Sequence, residues 1–384
     1  MTHITEFTVT GLAGRTEPYT QKLNRDVNIF FGFNGCGKTS LLKILHSAMS
    51  DDASILANVP FESAEVKIYS VTYDTVLTRT IVKTETSREQ KGITGLENQL
   101  GLWTEATIEV QTSSTMKWKT TSRTKKIRGI WAHRYLPTSR LYLESVRYTL
   151  SQRARILSED QLDAIFAESV QRLWVRYSND ILSTVRNAQE EGLRNILQAI
   201  LSPSEGSPIK TNVDPKKAYQ QVSSFLSRQG SSDIIRSQEG FIALYNDNNN
   251  LKSVVNDISS VEQKIETAMA PREQLQSTIQ QLFSGNKSIK FTDGAIQATA
   301  TDGTDIGLGT LSSGEKQLLH ILIETLLAEG NSAIIDEPEL SMHIDWQKQL
   351  VNVMRTLNPR AQLILATHSP EIMADVEDDK IFRI

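Results

Sequence analysis

Gly32-Phe33-Asn34-Gly35-Cys36-Gly37-Lys38-Thr39 carries the spacing G-x-x-x-x-G-K-T, with Ser40 directly behind it. That pattern suits phosphate chemistry. Backbone N–H groups unobstructed by Cβ atoms approach a polyphosphate from a helix N-terminus, a lysine neutralises its outer oxygens, and a threonine hydroxyl ligates Mg²⁺. Far downstream, Ala333-Ile334-Ile335-Asp336-Glu337 has the form of a buried strand that ends in two carboxylates. Asp336 is placed to hold Mg²⁺ through water, and Glu337 to accept the proton of an attacking water or to orient it. Pro338 stops the strand, so the pair sits at its C-terminal end, where α/β sheets bind ligands. A glycine turn alone, or a strand that happens to end in acids, would be unremarkable. Together in one chain they argue for a single site.

Two further groups belong to the same reading. Leu311-Ser312-Ser313-Gly314-Glu315 precedes a helix with apolar residues Leu318, Leu319, Ile321, Leu322 and Leu326. Ser312 and Glu315 have the spacing of a capping box, and a helix N-terminus with a serine and a glycine is also an anion site. Thr367-His368-Ser369 lies closer to the C-terminus. Phosphate chemistry requires all these residues in one place, so the two ends of the chain must fold against each other.

The surrounding elements fit that requirement. Ile4 to Thr10 and Val27 to Phe31 read as strands, the second running into the glycine loop, and Leu41, Leu42, Ile44 and Leu45 give the following segment a helical apolar face. Between Glu65 and Lys119, β-branched runs at Val66–Val71, Thr78–Val82 and Thr107–Val110 predict an antiparallel β-subdomain. From Leu141 to Ser284 long polar helices take over, with a loop at Ser202–Pro208. Leu251, Ile258 and Ile265 recur at sevens, each followed at three by Val254, Val261 and Ala268, and the phase continues through Leu275, Ile279 and Leu282. This is the seam of a short coiled coil or of an amphipathic helix on an ordinary core, with Pro271 kinking one helix or starting a second. Asp293-Gly294 and Asp302-Gly303 divide three short strands that lead to Leu311. The expected domains are 1–140, 141–285 and 286–384.

With 384 residues, 39% hydrophobic and 22% charged, the chain has the composition of a soluble globular protein. One cysteine excludes an intramolecular disulfide framework and suits a reducing compartment. No signal pattern and no apolar run long enough to span a bilayer stands out, so a cytoplasmic location without a membrane is expected. The net charge of −4 is unevenly spread, because Lys117–Arg155 holds eleven basic residues against Glu144 alone. With Trp118 and Trp131 interleaved, that stretch could bind nucleic-acid phosphates; a solvated face or a dock for an acidic protein explains it as well.

In combination these motifs resemble the ABC-type ATPase heads of the RecF, SMC and overcoming-lysogenisation-defect proteins, and most of all the stand-alone AAA-family ATPases of bacterial anti-phage operons. The match spans residues 32–39, 311–315, 333–339 and the region around His368, about half the chain. The resemblance implies an α/β fold, an ABC-type P-loop NTPase head with an antiparallel β-subdomain and an inserted helical or coiled-coil lobe. It implies ATP and Mg²⁺ as cofactors, with Asn34, Gly35, Cys36, Gly37, Lys38, Thr39 and Ser40 around the phosphates, Thr39 and Asp336 on the metal, and Lys38, Glu337 and His368 in catalysis. Ser312, Ser313, Gly314 and Glu315 of one copy would cap the γ-phosphate held by Lys38 of another, in a head-to-tail homodimer or larger homo-oligomer. Glu339–Asp345, with His343, resembles the segment that lies at this seam. The expected role is a switch acting on a separate effector, a Toprim-type nuclease or a toxin; a RecF- or SMC-like DNA-maintenance ATPase is the alternative, and a transporter subunit is disfavoured by Ser-Ser-Gly-Glu in place of Ser-Gly-Gly-Gln. OLD-type proteins continue into a Toprim domain, whereas Ile384 follows Ser369 by fifteen residues, so a nucleolytic effector is expected to be another polypeptide. The family's Q-loop glutamine has no counterpart; His133–Arg140 takes its place in the chain, with Arg140 a candidate for contact with the nucleotide or partner and Arg15 and Tyr19 for the adenine.

Overall fold

The computed structural model describes residues 2–83, 116–121, 130–138, 158–201, 214–228, 235, 237–283 and 287–384. The expected strand at Thr107–Val110, the Ser202–Pro208 loop, Arg140 and most of the basic stretch lie outside them. The chain divides into two compact units, one of residues 1–149 and 312–384 and the other of residues 150–311.

The first unit is built on two sheets. Strands β1 (His3–Thr10), β2 (Tyr19–Lys22), β4 (Ser63–Ser70), β5 (Thr75–Val82) and β6 (Lys119–Thr121) form an antiparallel sheet in the order β2-β1-β4-β5-β6. Alternating burial along β4 marks one face as core. The second sheet runs β13-β3-β12-β11-β7, from Ile381–Arg383, Val27–Phe31, Gln362–Thr367, Ser332–Asp336 and His133–Leu136. Every pairing in it is parallel. Its inner strands β11 and β12 are buried along their whole length, as sheets covered on both faces require.

Helix α1 (Lys38–Ser50) packs Leu41, Leu42, Ile44 and Leu45 into one apolar cluster with Phe7, Val66 and Ile68 of the antiparallel sheet and Phe30, Ile334 and Ile364 of the parallel one. Polar stitches run across the same unit. The fully buried amide of Gln362 donates to the Ile4 and Asn24 carbonyls and accepts from Ile4 N–H and Ser332 Oγ. Buried Arg79 donates to the Ala48 carbonyl at 2.6 Å and lies 4.5 Å from the Trp131 ring centre. Trp131 is therefore a core residue, as is Trp118, whose Nε1 donates to Ser47 Oγ at 2.8 Å. Both tryptophans named with the basic stretch are thus used in packing.

The second unit holds helices α2 (Glu159–Leu201), α3 (Pro215–Arg228), α4 (Gln238–Asp247) and α5 (Asn249–Leu282) and a three-stranded antiparallel sheet, β10-β9-β8, from Asp305–Ile306, Ile296–Ala300 and Lys287–Phe291. Those strands group with the helices, where the sequence boundary at 285 had set them with the C-terminal part of the head. Helix α5 runs unbroken through Pro271. Ile258, Val261, Leu275 and Ile279 of its seam are buried, and Leu251 and Val254 pack against a cluster with Val222, Phe241 and Tyr245. Trp174 of α2 anchors the small sheet: it is fully buried, donates to the Thr292 carbonyl at 2.7 Å and tilts against Phe291. No helix among the described residues is long and apolar enough to cross a membrane.

Candidate functional site

Because all five strands of the second sheet are parallel, their C-terminal ends share one edge. The glycine loop leaves β3 there, Asp336 ends β11, Thr367 ends β12, and Thr138 follows β7 by two residues. Four separate stretches of sequence meet where an α/β sheet binds ligands.

Helix α1 opens with Gly37 at φ +106°, and a Cβ there would stand 3.1 Å from that of Ala13, so both conformation and space call for glycine. Gly35, at φ +85°, faces open space. Asn34 and Gly35 are exposed and Cys36, Gly37, Thr39 and Ser40 half-buried, so the loop reaches solvent at a helix N-terminus, where free N–H groups favour anions. The Lys38 side chain is buried. Its ammonium donates to the Gly32 carbonyl at 2.7 Å and the Phe33 carbonyl at 3.2 Å, and lies 3.7 Å from Glu337 Oε1. Thr39 Oγ1 donates to Asp336 Oδ2 at 2.8 Å across 297 residues of sequence, and Thr138 Oγ1 donates to the same oxygen at 2.6 Å. A hydroxyl and a buried carboxylate beside an open glycine cradle make a donor set of hard oxygens, which fits Mg²⁺ with a polyphosphate.

Glu337 comes directly after the strand at φ +48°, a left-handed conformation that costs a non-glycine residue energy and concentrates at functional sites. Its N–H is held by the Ala366 carbonyl at 2.8 Å. The turn brings its carboxylate against His368 Nδ1 and the Glu339 carboxylate. Burial first, then hydrogen bonding and charge from Glu339, push the Glu337 carboxyl above the usual carboxylate range, while His368 pulls the other way. Glu339 is 5% exposed and its Oε1 accepts from Thr367 Oγ1, His368 N–H at 3.0 Å and Ser369 N–H at 3.2 Å. One buried carboxylate thus fastens the end of β12 to the segment after β11. Sequence reading placed Glu339 only in the stretch after the carboxylate pair and gave Thr138 no role. Their signals are the second acid of Asp-Glu-Pro-Glu and a hydroxyl two residues beyond a strand that pairs with β11.

The predicted capping box is present at the start of helix α6 (Ser313–Leu327): Ser312 Oγ accepts from Glu315 N–H, and Glu315 Oε2 accepts from Ser312 N–H at 2.7 Å. Ser313 is exposed and Gly314 buried. A Cβ on Gly314 would stand 2.5 Å from the Ser341 carbonyl oxygen, so this glycine lets the helix end approach the segment after Glu339. His343 is the exposed N-cap of helix α7 (Ile344–Leu357), its Nδ1 accepting from Asp345 N–H. Arg15 lies 5.6 Å from the ring centre of Tyr19, whose hydroxyl burial and the nearby Cys36 push up to about 12 against the pull of Arg15.

The chain is 22% identical over 391 aligned residues to the Retron Vc95 probable ATPase of Vibrio cholerae serotype O1 biovar El Tor, spanning 93% of this chain and 68% of that protein. Among solved structures it is similar to an Smc head domain with a coiled coil and joint from Pyrococcus yayanosii (12% identity, TM-score 0.45, 100% of this chain and 95% of the other). An Smc head domain with an extended coiled coil from Pyrococcus furiosus, bound to the C-terminal domain of ScpA, is also similar (12%, TM-score 0.43, 97% and 92%). Residues 131–374, more than half of the chain, match the family described as "AAA domain, putative AbiEii toxin, Type IV TA system", and the chain belongs to that family of AAA-domain ATPases.

Proposed function

We propose that this protein binds ATP at the C-terminal edge of its parallel sheet, hydrolyses it slowly in head-to-tail pairs, and uses the closed pair as a switch on a separate effector in anti-phage defence. The observation that carries the reading is the 2.8 Å hydrogen bond from Thr39 to Asp336, which joins the glycine loop to the carboxylate strand. The cradle N–H groups and Lys38 bind the phosphates, Lys38 exchanging its loop carbonyls and Glu337 for phosphate oxygens. Thr39 and Asp336 would hold Mg²⁺, which would supply neutralising charge to the outer phosphates. Glu337 orients the attacking water and accepts its proton, and His368, on the other oxygen of the same carboxylate, fixes Glu337 and faces the γ-phosphate. Exposed Ser313 and the N-terminus of α6 are available to a second copy, whose γ-phosphate they would cap. The relative in a retron system supports a role in defence; the effector in this reading is a nuclease or a toxin.

Replacing Glu337 with Gln removes a proton acceptor and leaves the cation oxygens in place. The expected result is parental ATP affinity, hydrolysis lowered by roughly 100-fold or more, and a pair that persists on ATP in a mass measurement. Hydrolysis at the parental rate would overturn the role of Glu337. Ser313→Ala should lower hydrolysis while a monomeric preparation binds ATP as the parent does; weaker binding by that monomer would place Ser313 in its own copy's site.

A further inference from the structure

We infer that Thr138 is a third protein oxygen of the cation site, a ligand contributed by the strand edge beyond β7. The inference rests on the nucleotide reading above and picks out one residue of the His133–Arg140 segment, which lacks the Q-loop glutamine. Asp336 has no solvent exposure, and its Oδ2 is approached by two hydroxyls from different parts of the chain, Thr39 at 2.8 Å and Thr138 at 2.6 Å.

Parallel pairing of β7 with β11, in the register Leu136 to Ile335, carries the chain past Asp336 and delivers Thr138 there. A hydroxyl that donates its proton to a carboxylate keeps its lone pairs for a cation. Mg²⁺ takes octahedral oxygen ligands at about 2.0–2.1 Å, which sets neighbouring ligand oxygens about 3 Å apart. The spacing of Thr39 and Thr138 from Asp336 Oδ2 is close to such octahedral edges. Three hard oxygens, one each from α1, β11 and the segment after β7, therefore meet at one buried carboxylate, a donor set that suits Mg²⁺ or Mn²⁺, bonded directly or through one water.

The test uses the full chain and fluorescent ATP at trace concentration, titrated first with Mg²⁺ and then with Mn²⁺. Thr138→Val keeps shape and removes the hydroxyl, whereas Thr138→Ser keeps it. The Val variant should need roughly tenfold more cation for half-maximal binding, the Ser variant should follow the parent, and all three should bind equally in EDTA. Thr138→Ala provides a second hydroxyl-free form if the Val chain is poorly folded. A Val or Ala variant with the parental cation requirement overturns the proposal, and so does a lowered melting temperature with an unchanged titration, which would reduce the hydroxyl to a partner for a buried carboxylate. Asp336→Asn separates the two levels: if it too titrates like the parent, the cation reading of the whole site fails, and if it alone shifts, only Thr138 falls.

Discussion

The two units bury their apolar residues alike but differ in the polar groups they enclose. Among the described residues, the buried polar side chains of the helical unit are Ser169, Ser178 and Thr278, all uncharged hydroxyls. The first unit buries Lys38, Arg79 and Lys316, His320, and the carboxylates Asp336 and Glu339. Burying charge is costly unless partners surround it, so a fold that concentrates the cost in one unit does so for chemistry or for a specific junction. Under the proposed function, Lys38, Asp336 and Glu339 belong to the first case; Arg79, which joins helix α1 to the Trp131 ring, belongs to the second.

The contrast can be broken most directly at Trp174 in the helical unit. Trp174→Ala removes a fully buried ring and its hydrogen bond to Thr292, and should cost about 3–5 kcal/mol, read as an earlier unfolding transition. ATP affinity measured below that transition should stay at the parental value. A matching fall in affinity would show that the nucleotide site draws on the helical unit, and the division of labour would be lost.

Glu339 sharpens the same contrast from the other side. Glu339→Ala strands three donors, Thr367 Oγ1 and the His368 and Ser369 N–H groups, at about 1–3 kcal/mol for an unsatisfied buried group, and frees His368 from its fixed position. Hydrolysis should fall by roughly 100-fold with ATP affinity nearly intact, and Glu339→Gln, whose amide oxygen still accepts, should recover most of the stability. If Ala hydrolyses as fast as Gln, the carboxylate is a structural tie only.

What could be read from sequence follows the range of the interactions. The glycine loop, the strand ending in Asp336-Glu337 and the capping box at Ser312 are set within a few residues, and each was visible as a spacing. Thr138 and the hub role of Glu339 depend on sheet order. Only the sequence β13-β3-β12-β11-β7 puts β12 beside β11 and β7 on its other flank, and a local pattern does not encode neighbours in a parallel sheet. The tryptophans make the same point: Trp118 and Trp131 sit among basic residues in sequence, and it is contacts with Ser47 and Arg79 of distant elements that bury them.

Gly314 tests a smaller effect in the first unit, where a motif glycine has both a family reading and a packing reason. Gly314→Ala sets a methyl 2.5 Å from the Ser341 carbonyl, and backbone must shift to admit it. A destabilisation of about 1–3 kcal/mol is expected, together with impaired hydrolysis because the segment behind Glu339 moves. An Ala variant that melts like the parent while losing hydrolysis would assign the glycine wholly to the nucleotide of a second copy.

The smallest expected effect concerns two histidines that the first unit keeps neutral. His133 Nδ1 faces the Trp131 carbonyl, which only accepts, so that nitrogen carries the proton and Nε2 accepts from His46 Nδ1–H at 2.7 Å. His46 also stacks on Tyr135, at 4.2 Å between ring centres. Burial, then the neighbouring His133, pull His46 down to about 3 against the opposing charge of Asp52; burial also lowers His133, with Arg134 adding to the effect and the Trp131 carbonyl opposing it. Because the folded values lie below the unfolded value near 6.5, the unfolded chain binds more protons between them, and stability is lost as pH falls through that window. For His46 the loss between pH 7 and 5.5 is about 1 kcal/mol, visible as a lower melting temperature. His46→Gln keeps a donor for His133 and does not titrate, so its melting temperature should depend less on pH. An equal drop in both proteins would mean that the acid sensitivity of this unit lies in its buried carboxylates and lysines instead of in the imidazole pair.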